Sequence, residues 1–215
     1  HGFDDKDQGN LFFSIMDVVK EKRPKILFLE NVKNLRSHDK GNTFLRIQDE
    51  IAKKKYRLFS DVKNASSFVP QSRQRIFMVA FDKKHYGDSV EFEFPEISGK
   101  PKKLKSILQK KVDDKYTLSD HLWNYLQEYK ERQRRKGNGF GYGLFDPEDT
   151  ARTMSARYYK DGAEILIRQN GKNPRRLTPR EACLLMGFNN SYARLFGHKR
   201  GFPIVVSDTQ AYKQF

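Results

Sequence analysis

The first residue of this sequence whose type and setting could do chemistry is Glu30. The apolar segment Ile26–Leu29 precedes it and has the pattern of a parallel-sheet strand that is buried on both faces. Glu30 and Asn31 come directly after that segment, and open α/β sheets bind ligands just beyond the carboxyl ends of their strands. A carboxylic acid with apolar residues on one side can have a raised pKa and act as a proton donor. The alternative is an ordinary loop carboxylate.

A second group of polar side chains lies in the segment Val69–Arg75, VPQSRQR. Pro70 favours an extended chain at the residue before it. Gln71, Arg73 and Arg75 alternate along the segment, so in an extended chain their side chains point to one side. Two guanidinium groups and an amide on one face suit an anionic or carbonyl-rich partner such as a nucleotide. The alternative is a basic edge that contacts only solvent.

Four motifs make the chain resemble the DNA (cytosine-5) methyltransferases of the bacterial restriction-modification or Dcm-like type. LENVKNL is similar to that family's Glu-Asn-Val motif, and PQSRQR is similar to its Gln-x-Arg-x-Arg motif. Arg176–Phe188, RLTPREACLLMGF, is similar to the helix motif that follows the family's target-recognition region. Ser207–Phe215, SDTQAYKQF, is similar to the start of its last motif. The four motifs stand in the family's order and at its spacing, and the resemblance covers essentially the whole chain.

The resemblance implies an α/β fold in two parts. Residues 1–95 would be the C-terminal part of a Rossmann-like, S-adenosylmethionine-dependent methyltransferase domain, and residues 96–206 a smaller target-recognition domain. Residues 207–215 would return to the catalytic domain. The implied function is sequence-specific methylation of cytosine at carbon 5, with S-adenosylmethionine as the cofactor and double-stranded DNA as the partner. The cytosine must leave the helix to reach the catalytic groups.

The same resemblance gives roles to individual residues. Glu30 is the acid hydrogen-bonded to ring nitrogen 3 of the cytosine, where electron density accumulates when a cysteine thiolate adds to carbon 6. Arg75 is the cation at the 2-keto oxygen, and Arg73 holds the backbone of the target strand. Phe188 is the residue expected to contact the cofactor, by its position directly after Gly187.

Base recognition is expected from the segment Thr150–Ile167, which has the pattern of two strands joined by a turn at Lys160–Gly162. Its charged and hydrogen-bonding side chains are of the kinds that contact base edges and phosphates. The expected DNA contacts are Arg152, Ser155, Arg157, Tyr158 and Lys160, together with Gln71. The alternative is a basic ribbon with no reading role. The segment also resembles the branch that methylates the inner cytosine of CCGG- or CCWGG-type sites.

Two motifs that the family needs for chemistry are absent from the sequence. A glycine-rich cofactor turn and a Pro-Cys-Gln loop with the nucleophile are expected before His1, and a Gly-Asn pair after Phe215. The single cysteine, Cys183, is expected to be a small buried hydrophobe rather than a nucleophile. The expectation is an incomplete piece or subunit, completed by the missing N-terminal portion or by a partner subunit that carries the nucleophile. The alternative is a non-catalytic DNA-binding specificity subunit or a degenerate homologue.

Composition limits the classes of partner. A formal net charge of +15 and a pI near 9.8 suggest a polyanion, with nucleic acid before membrane. No apolar run approaches the roughly 20 residues of a membrane span, and no signal peptide is visible. One cysteine excludes an internal disulfide and is compatible with the reducing cytosol of a bacterium. No RNA-module motif appears, which disfavours an RNA-binding domain. The basic run Arg132–Lys136 is either a solvated face or a phosphate contact.

The elements that must position these residues follow from periodicity and capping. Helices are predicted at Gly9–Lys22, Thr43–Lys55, Ser119–Arg135 and Thr178–Met186, and strands at Lys25–Leu29, Arg57–Val62 and Ile76–Phe81. Asp82–Lys115 loses periodicity and is expected to contain a domain boundary, and Asp4–Lys6 is expected in a surface loop. The glycine-rich Gly137–Gly143 follows a helix, so it does not fit a dinucleotide loop and is expected to lie close to another backbone segment. Thr178 and Glu181 predict a capping box.

Overall fold

The computed structural model describes residues 9–139, 141–199 and 201–215. The loop expected at Asp4–Lys6 lies outside these residues, as does Phe140 of the glycine-rich segment. The chain forms two compact units, of which the first runs to Asn64 and includes Gln74–Ile97, and the second comprises Ala65–Arg73 and Ser98–Phe215. No helix in the described ranges has the length and apolar character needed to span a membrane.

The helices and strands follow the predicted pattern in most of the chain. The helices are α1 (Gly9–Lys22), α2 (Asn42–Lys53), α3 (Lys83–Tyr86), α4 (Asp120–Arg135), α5 (Tyr158–Asp161), α6 (Pro179–Leu185), α7 (Asn190–Leu195) and α8 (Asp208–Gln214). The strands are β1 (Ile26–Val32), β2 (Tyr56–Asn64), β3 (Gln71–Ser72), β4 (Gln74–Asp82), β5 (Leu144–Phe145), β6 (Ala151–Arg152), β7 (Leu166–Gln169) and β8 (Lys172–Arg176). The helices predicted from apolar spacing are confirmed, with ends that differ by no more than a few residues.

The first unit is built on a three-stranded sheet in the order β1-β4-β2. The central strand β4 is antiparallel to both neighbours, and Met78 lies opposite Leu29 on β1 and Ser60 on β2. The prediction that Ile26–Leu29 belongs to a parallel sheet is therefore wrong, because the strand that pairs with it, β4, runs antiparallel to it. An apolar run favours a strand, but it carries no information about the direction of the strand beside it.

The two faces of β1 differ in exposure. Leu27 lies in a core with residues of α1 and α2, such as Val19 and Ile51. The opposite face of β1 is exposed, with exposed fractions of 67% for Phe28 and 50% for Val32. The prediction of a strand buried on both faces is therefore wrong. Because side chains alternate along a strand, Glu30 shares the exposed face with Phe28 and Val32.

The second unit encloses a core of its own. Its sheet has the order β5-β7-β8, with β5 parallel and β8 antiparallel to β7. The largest cluster of buried side chains includes Leu104, Tyr158, Leu177, Leu185 and Tyr212. Tyr212 of α8 also donates a hydrogen bond to the carbonyl oxygen of Leu177, at 2.5 Å. Residues 207–215, which were expected to return to the first domain, therefore belong to the second compact unit.

The segment Thr150–Ile167 is not the predicted pair of strands. After the two-residue strand β6, the chain turns into the short helix α5, and the hairpin forms later between β7 and β8. The Asp-Gly pair that suggested a hairpin turn instead closes α5, because Gly162 has a φ of 63° at its C-terminal end. The Oδ1 atom of Asp161 accepts a hydrogen bond from the backbone N–H of Ala163 at 3.0 Å, which stabilises this tight exit.

Two local predictions in the second unit are confirmed. Thr178 and Glu181 form the capping box of α6, with both reciprocal hydrogen bonds present. In the glycine-rich segment, Gly143 donates its N–H to the carbonyl oxygen of Ala163 at 2.9 Å. A Cβ atom at position 143 would lie 2.4 Å from the carbonyl oxygen of Glu164, so this close approach of two backbone segments requires glycine.

Candidate active site and DNA-contact residues

The exposed face of the first unit's sheet holds Glu30 and Arg75 side by side. The Nε atom of Arg75 lies 2.9 Å from Oε1 of Glu30, and the side chains are 17% and 44% exposed, respectively. The Nη1 atom of Arg75 also donates to the carbonyl oxygen of Gln74 at 2.8 Å. The guanidinium is thus held in place by one salt bridge and one hydrogen bond, while the carboxylate keeps nearly half of its surface accessible to a ligand.

Strand register brings these two residues together. Glu30 lies opposite Phe77 and Val32 lies opposite Arg75, so Arg75 is one diagonal position from Glu30 on the same face. The ring of Phe28 stacks on that of Phe77, with centroids 5.8 Å apart and an angle of 21° between the planes. Glu30 lies within β1 and not after it, because the strand continues to Val32. The pair therefore sits on a rigid ladder next to an apolar ring face.

A second acid–base pair lies on the same face of the sheet, one strand further on. Asp61 of β2 is opposite Phe77, and its Oδ2 atom lies 2.6 Å from Nζ of Lys63. The hydrogen bond from Lys63 lowers the pKa of Asp61. The ring of Phe77 lies between the two pairs in the register. Sequence spacing did not single out Asp61, which provides a matched comparison for Glu30.

Gln71 is a structural residue of the second unit. Its side chain is fully buried. The Nε2 atom donates to the carbonyl oxygen of Leu185 at 2.8 Å, and Oε1 accepts from the backbone N–H of Met154 at 3.2 Å. The prediction that Gln71 contacts DNA from a face shared with Arg73 and Arg75 is therefore wrong for this structure. The extended chain is interrupted between β3 and β4, so strict alternation does not hold across the segment.

The expected DNA contacts of the second unit divide into accessible and enclosed residues. Arg152, Arg157 and Lys160 are exposed. Ser155 is exposed as well, and its Oγ atom donates to Oε1 of Glu164 at 2.6 Å. Three of these four residues thus present cationic side chains to solvent, as a phosphate or base contact requires.

Tyr158 is enclosed, and its prediction as a DNA contact is wrong for this structure. Its side chain has no exposed surface. The hydroxyl donates to the carbonyl oxygen of Ile165 at 2.9 Å and accepts from the backbone N–H of Leu177 at 2.8 Å. Burial raises the pKa of this hydroxyl well above its usual value. Tyr158 therefore links α5 to the strands behind it and has no free polar atom for a base.

Phe188, the residue expected at the cofactor, belongs to an aromatic cluster. Its ring centroid lies 4.9 Å from that of Phe202, 5.2 Å from that of Tyr192 and 5.6 Å from that of Phe215. The ring is half-buried, so part of its surface can pack against a ligand such as adenine. The neighbouring Cys183 is fully buried, as predicted, and burial raises the pKa of its thiol.

Helix α4 carries a further surface that the sequence indicated only through its basic end. Tyr125 and Tyr129 are stacked with centroids 6.2 Å apart, and the guanidinium of Arg132 lies 5.9 Å from the ring centre of Tyr125. Arg134 and Arg135 both bond the carboxylate of Glu131. The i, i+4 spacing of the two tyrosines in the sequence could have revealed this pair.

Comparison with known proteins decides the family. A family model described as C-5 cytosine-specific DNA methylase matches residues 1–215. The chain belongs to the C-5 cytosine-specific DNA methylase family. The resemblance stated from the four motifs is thereby confirmed.

Relatives within this methylase family match the whole chain. It is 47% identical over 216 residues to the type II methyltransferase M1.ScrFI of Lactococcus lactis subsp. cremoris, covering 100% of this chain and 53% of that protein. It is 48% identical over 216 residues to the type II methyltransferase M.SsoII of Shigella sonnei, covering 100% of this chain and 54% of that protein. The chain thus spans about half the length of these curated relatives.

A solved structure shares the fold of this methylase-family chain. The S. pombe Dnmt2 methyltransferase superposes with a TM-score of 0.64 at 16% identity. The match covers 94% of this chain and 65% of that protein. The chain therefore has the α/β fold of part of a methyltransferase domain, as predicted.

Few of the described residues could bind a cofactor or a metal ion. Phe188 stays the residue predicted to contact S-adenosylmethionine, and its half-buried ring leaves surface for such a contact. No group of three or more His, Cys, Asp or Glu side chains that could hold a metal occurs within residues 9–139, 141–199 and 201–215.

Proposed function

We propose that this chain supplies the active-site glutamate and the DNA recognition surface of a sequence-specific DNA cytosine-5 methyltransferase of which it is an incomplete piece or subunit. The observation that carries the proposal is the Glu30–Arg75 pair on an exposed sheet face, with the two side chains 2.9 Å apart. A carboxylic acid and a guanidinium at this separation match two neighbouring polar atoms on one edge of a cytosine, ring nitrogen 3 and the 2-keto oxygen.

The proposed chemistry uses both groups of the pair. A cysteine thiolate from outside this chain adds to carbon 6 of the cytosine, and the electrons of the 5,6 double bond move toward ring nitrogen 3. As Arg75 leaves it, Glu30 takes up a proton from solvent and donates a hydrogen bond to nitrogen 3, which stabilises that charge. Arg75 turns from Glu30 to the 2-keto oxygen and stabilises charge there. When bound, S-adenosylmethionine would supply the methyl group that carbon 5 takes up, and Phe188 would contact the cofactor. A water molecule would then accept the proton of carbon 5, and the electrons of that C–H bond would re-form the 5,6 double bond as the thiolate leaves carbon 6.

The absence of a usable nucleophile supports the proposal that the chain is a piece. The sequence contains one cysteine. Cys183 is fully buried, its thiol lies 3.4 Å from the carbonyl oxygen of Phe188, and burial raises the pKa of the thiol. A thiol must be ionised and accessible to attack carbon 6. The coverage of about half of its relatives agrees with a nucleophile located in the remaining portion.

The recognition role rests on exposed cations of the second unit. Arg152, Arg157 and Lys160 are exposed around the short helix α5, and the formal net charge of the chain is +15. Arginine can bond two acceptors of a guanine in the major groove, and lysine can neutralise a phosphate. We propose that this group contacts duplex DNA, with Arg73 of the same unit holding the target strand.

Complementation tests the proposal that the chemistry is divided. Purified chain 1–215 should transfer no methyl group to duplex DNA. Activity should appear when a polypeptide with the glycine-rich cofactor turn and the Pro-Cys-Gln loop of the family is added or co-expressed. The matched control is the Cys183→Ala variant of the chain. Its activity after complementation should equal that of the unsubstituted chain. Methyl transfer by 1–215 alone would overturn the proposal, and persistent inactivity of a well-folded complex would favour a non-catalytic DNA-binding role.

A further inference from the structure

A groove in the second unit is lined by lysines and by apolar side chains. Its volume is about 460 Å³. Lys100, Lys102, Lys103 and Lys105 contribute to its lining, while Phe68 and Leu184 provide apolar surface. None of the residues to which recognition or catalysis has been assigned lines it. The groove is therefore a site separate from the exposed arginines around α5.

The groove carries a positive charge that is largely uncompensated. Its lining contains four lysines and no carboxylate. Lys105 pairs with Glu148 at 2.9 Å, but both side chains are more than half exposed, so that pair contributes little and can be exchanged for another anion. For Lys100, Lys102 and Lys103, no ion pair with a carboxylate is found within the described ranges of the chain. Four lysines around one concave surface create a local field that attracts an anion.

The backbone beneath the lysines is fixed. The N–H of Lys102 donates to the carbonyl oxygen of Ser66, and the carbonyl oxygen of Lys102 accepts from Oγ1 of Thr150, both at 2.7 Å. The N–H of Lys105 donates to the carbonyl oxygen of Pro147 at 2.8 Å, and Leu104 is fully buried. Binding would therefore order only the lysine side chains, which keeps the entropic cost of occupying the groove low.

The apolar part of the lining indicates the kind of anion. Phe68 is 61% exposed, so its ring can pack against a ligand in the groove. A ligand that carries repeated negative charges beside apolar rings satisfies both features, and the phosphates and deoxyriboses of a DNA strand have this alternation. Lysine suits this role because its ammonium contacts phosphate as a point charge.

We propose that this groove binds the phosphodiester backbone of duplex DNA outside the recognition sequence. The inference rests on the proposed function, since it assumes a DNA-binding protein, and it adds a contact that is independent of base sequence. Lys100 and Lys103 neutralise phosphates, and the ring of Phe68 packs against sugar. Occupation of the groove lengthens the DNA footprint beyond the bases that the α5 region reads.

The test compares two double substitutions in the complete protein that carries this chain. Lys100→Gln with Lys103→Gln removes two charges from the groove. Lys110→Gln with Lys111→Gln removes two charges from exposed residues that do not line it. Binding is measured on a cognate duplex with long flanks and on one trimmed to the recognition sequence, at several salt concentrations.

The groove substitution should flatten the salt dependence on the long duplex by about two units of slope. Each phosphate contact contributes about 0.9, so affinity should fall tens of fold near 0.1 M salt. Binding to the trimmed duplex, and the preference for cognate over single-mismatch DNA, should not change. Phe68→Ser should weaken binding to the long duplex without changing the slope, because it removes no charge.

Equal slopes for the two double substitutions on the long duplex would overturn the proposal. The proposal would also be overturned if the groove variant bound DNA normally but no longer bound a polyglutamate peptide. That result would identify an acidic protein as the occupant of the groove. If the unsubstituted protein binds no duplex at all, the proposed function itself fails, and that result is distinct from either outcome.

Discussion

Two arginine–carboxylate pairs in this chain have similar distances and opposite surroundings. In the second unit, Arg175 and Glu181 are joined by two hydrogen bonds of 2.7 and 2.9 Å, and their side chains are 7% and 0% exposed. Glu181 also accepts from the backbone N–H groups of Thr178 and Gln109. In the first unit, Glu30 bonds Arg75 and keeps 44% of its side chain exposed.

The difference separates a structural carboxylate from one that can bind a ligand. An ionised carboxylate has about four acceptor positions. Glu181 accepts hydrogen bonds from four donors on three residues, Arg175, Thr178 and Gln109. All four of its acceptor positions are therefore occupied, and none is available to a substrate. Within the described ranges, Glu30 pairs with Arg75, and its side chain keeps 44% of its surface accessible to solvent. Saturation and burial, more than the presence of an arginine, therefore distinguish the two roles.

Breaking the buried pair should have the largest effect on stability. Arg175→Met leaves Glu181 buried without its cation, which costs about 3–5 kcal/mol of unfolding free energy. Arg75→Met on the exposed pair should cost no more than about 1 kcal/mol. Urea unfolding of the two variants, followed by circular dichroism, measures both values. Equal losses would show that burial does not separate the pairs as argued.

Tyr158 extends the comparison from carboxylates to a hydroxyl. Tyr158→Phe removes a donor to Ile165 and an acceptor for the N–H of Leu177, so the fold should lose about 1–3 kcal/mol. DNA affinity per folded molecule should not change. If Tyr158→Phe is as stable as the unsubstituted protein but binds DNA more weakly, Tyr158 contacts DNA after all.

Arg157 and Arg134 test what an exposed cation does. Arg157→Ala should lower the preference for cognate over single-mismatch DNA, since a lost bidentate base contact costs about 1–3 kcal/mol of discrimination. Arg134→Ala should weaken all duplexes alike and flatten the salt slope by about one unit. Binding of each variant to both duplexes at several salt concentrations decides between the roles. If Arg157→Ala lowers both affinities equally, Arg157 is a phosphate contact.

Asp208 has two side-chain partners, more than Glu30 and fewer than the four donors of Glu181. Its substitution should have the smallest effect of those considered. It accepts from Tyr116 at 2.8 Å and pairs with Lys115 at 2.9 Å, and its side chain is 43% exposed. The hydrogen bond from Lys115, more than any other contact, lowers the pKa of Asp208. Its stabilisation is therefore present above the ordinary carboxyl pKa of about 4 and is lost as pH falls through the lowered value. Asp208→Asn should remove that part of the acid sensitivity of thermal unfolding, and an unchanged pH profile would exclude this contribution.

The two members of the exposed pair are predictable from the sequence because both lie in motifs that resemble those of the family. Glu30 adjoins an apolar run, and Arg75 begins another, so each strand was found separately. Their contact depends on the antiparallel register of β1 and β4. The register depends on tertiary packing between segments about 45 positions apart, so it cannot be predicted from the local sequence of either strand.

The same reasoning failed for Tyr158 and Gln71, for a physical reason that the two share. Both are polar residues with strong hydrogen-bonding groups, and by type they suit a binding surface. Their partners are backbone groups of Ile165, Leu177, Leu185 and Met154, which become close only when the second core forms. Glu181 was interpreted correctly because its capping partner is three residues away, so the contact is local.

The rate of methyl transfer in a single turnover tests the central claim most directly. In the complete enzyme, Glu30→Gln keeps the size of the side chain but removes its acid, and Asp61→Asn makes the matched change in the second pair of the same sheet face. Glu30→Gln should bind DNA normally and slow methylation by roughly 10²–10⁴, the range for lost acid–base help, while Asp61→Asn stays near the unsubstituted rate. An unchanged single-turnover rate for Glu30→Gln would contradict the account and make Glu30 a residue of structure alone.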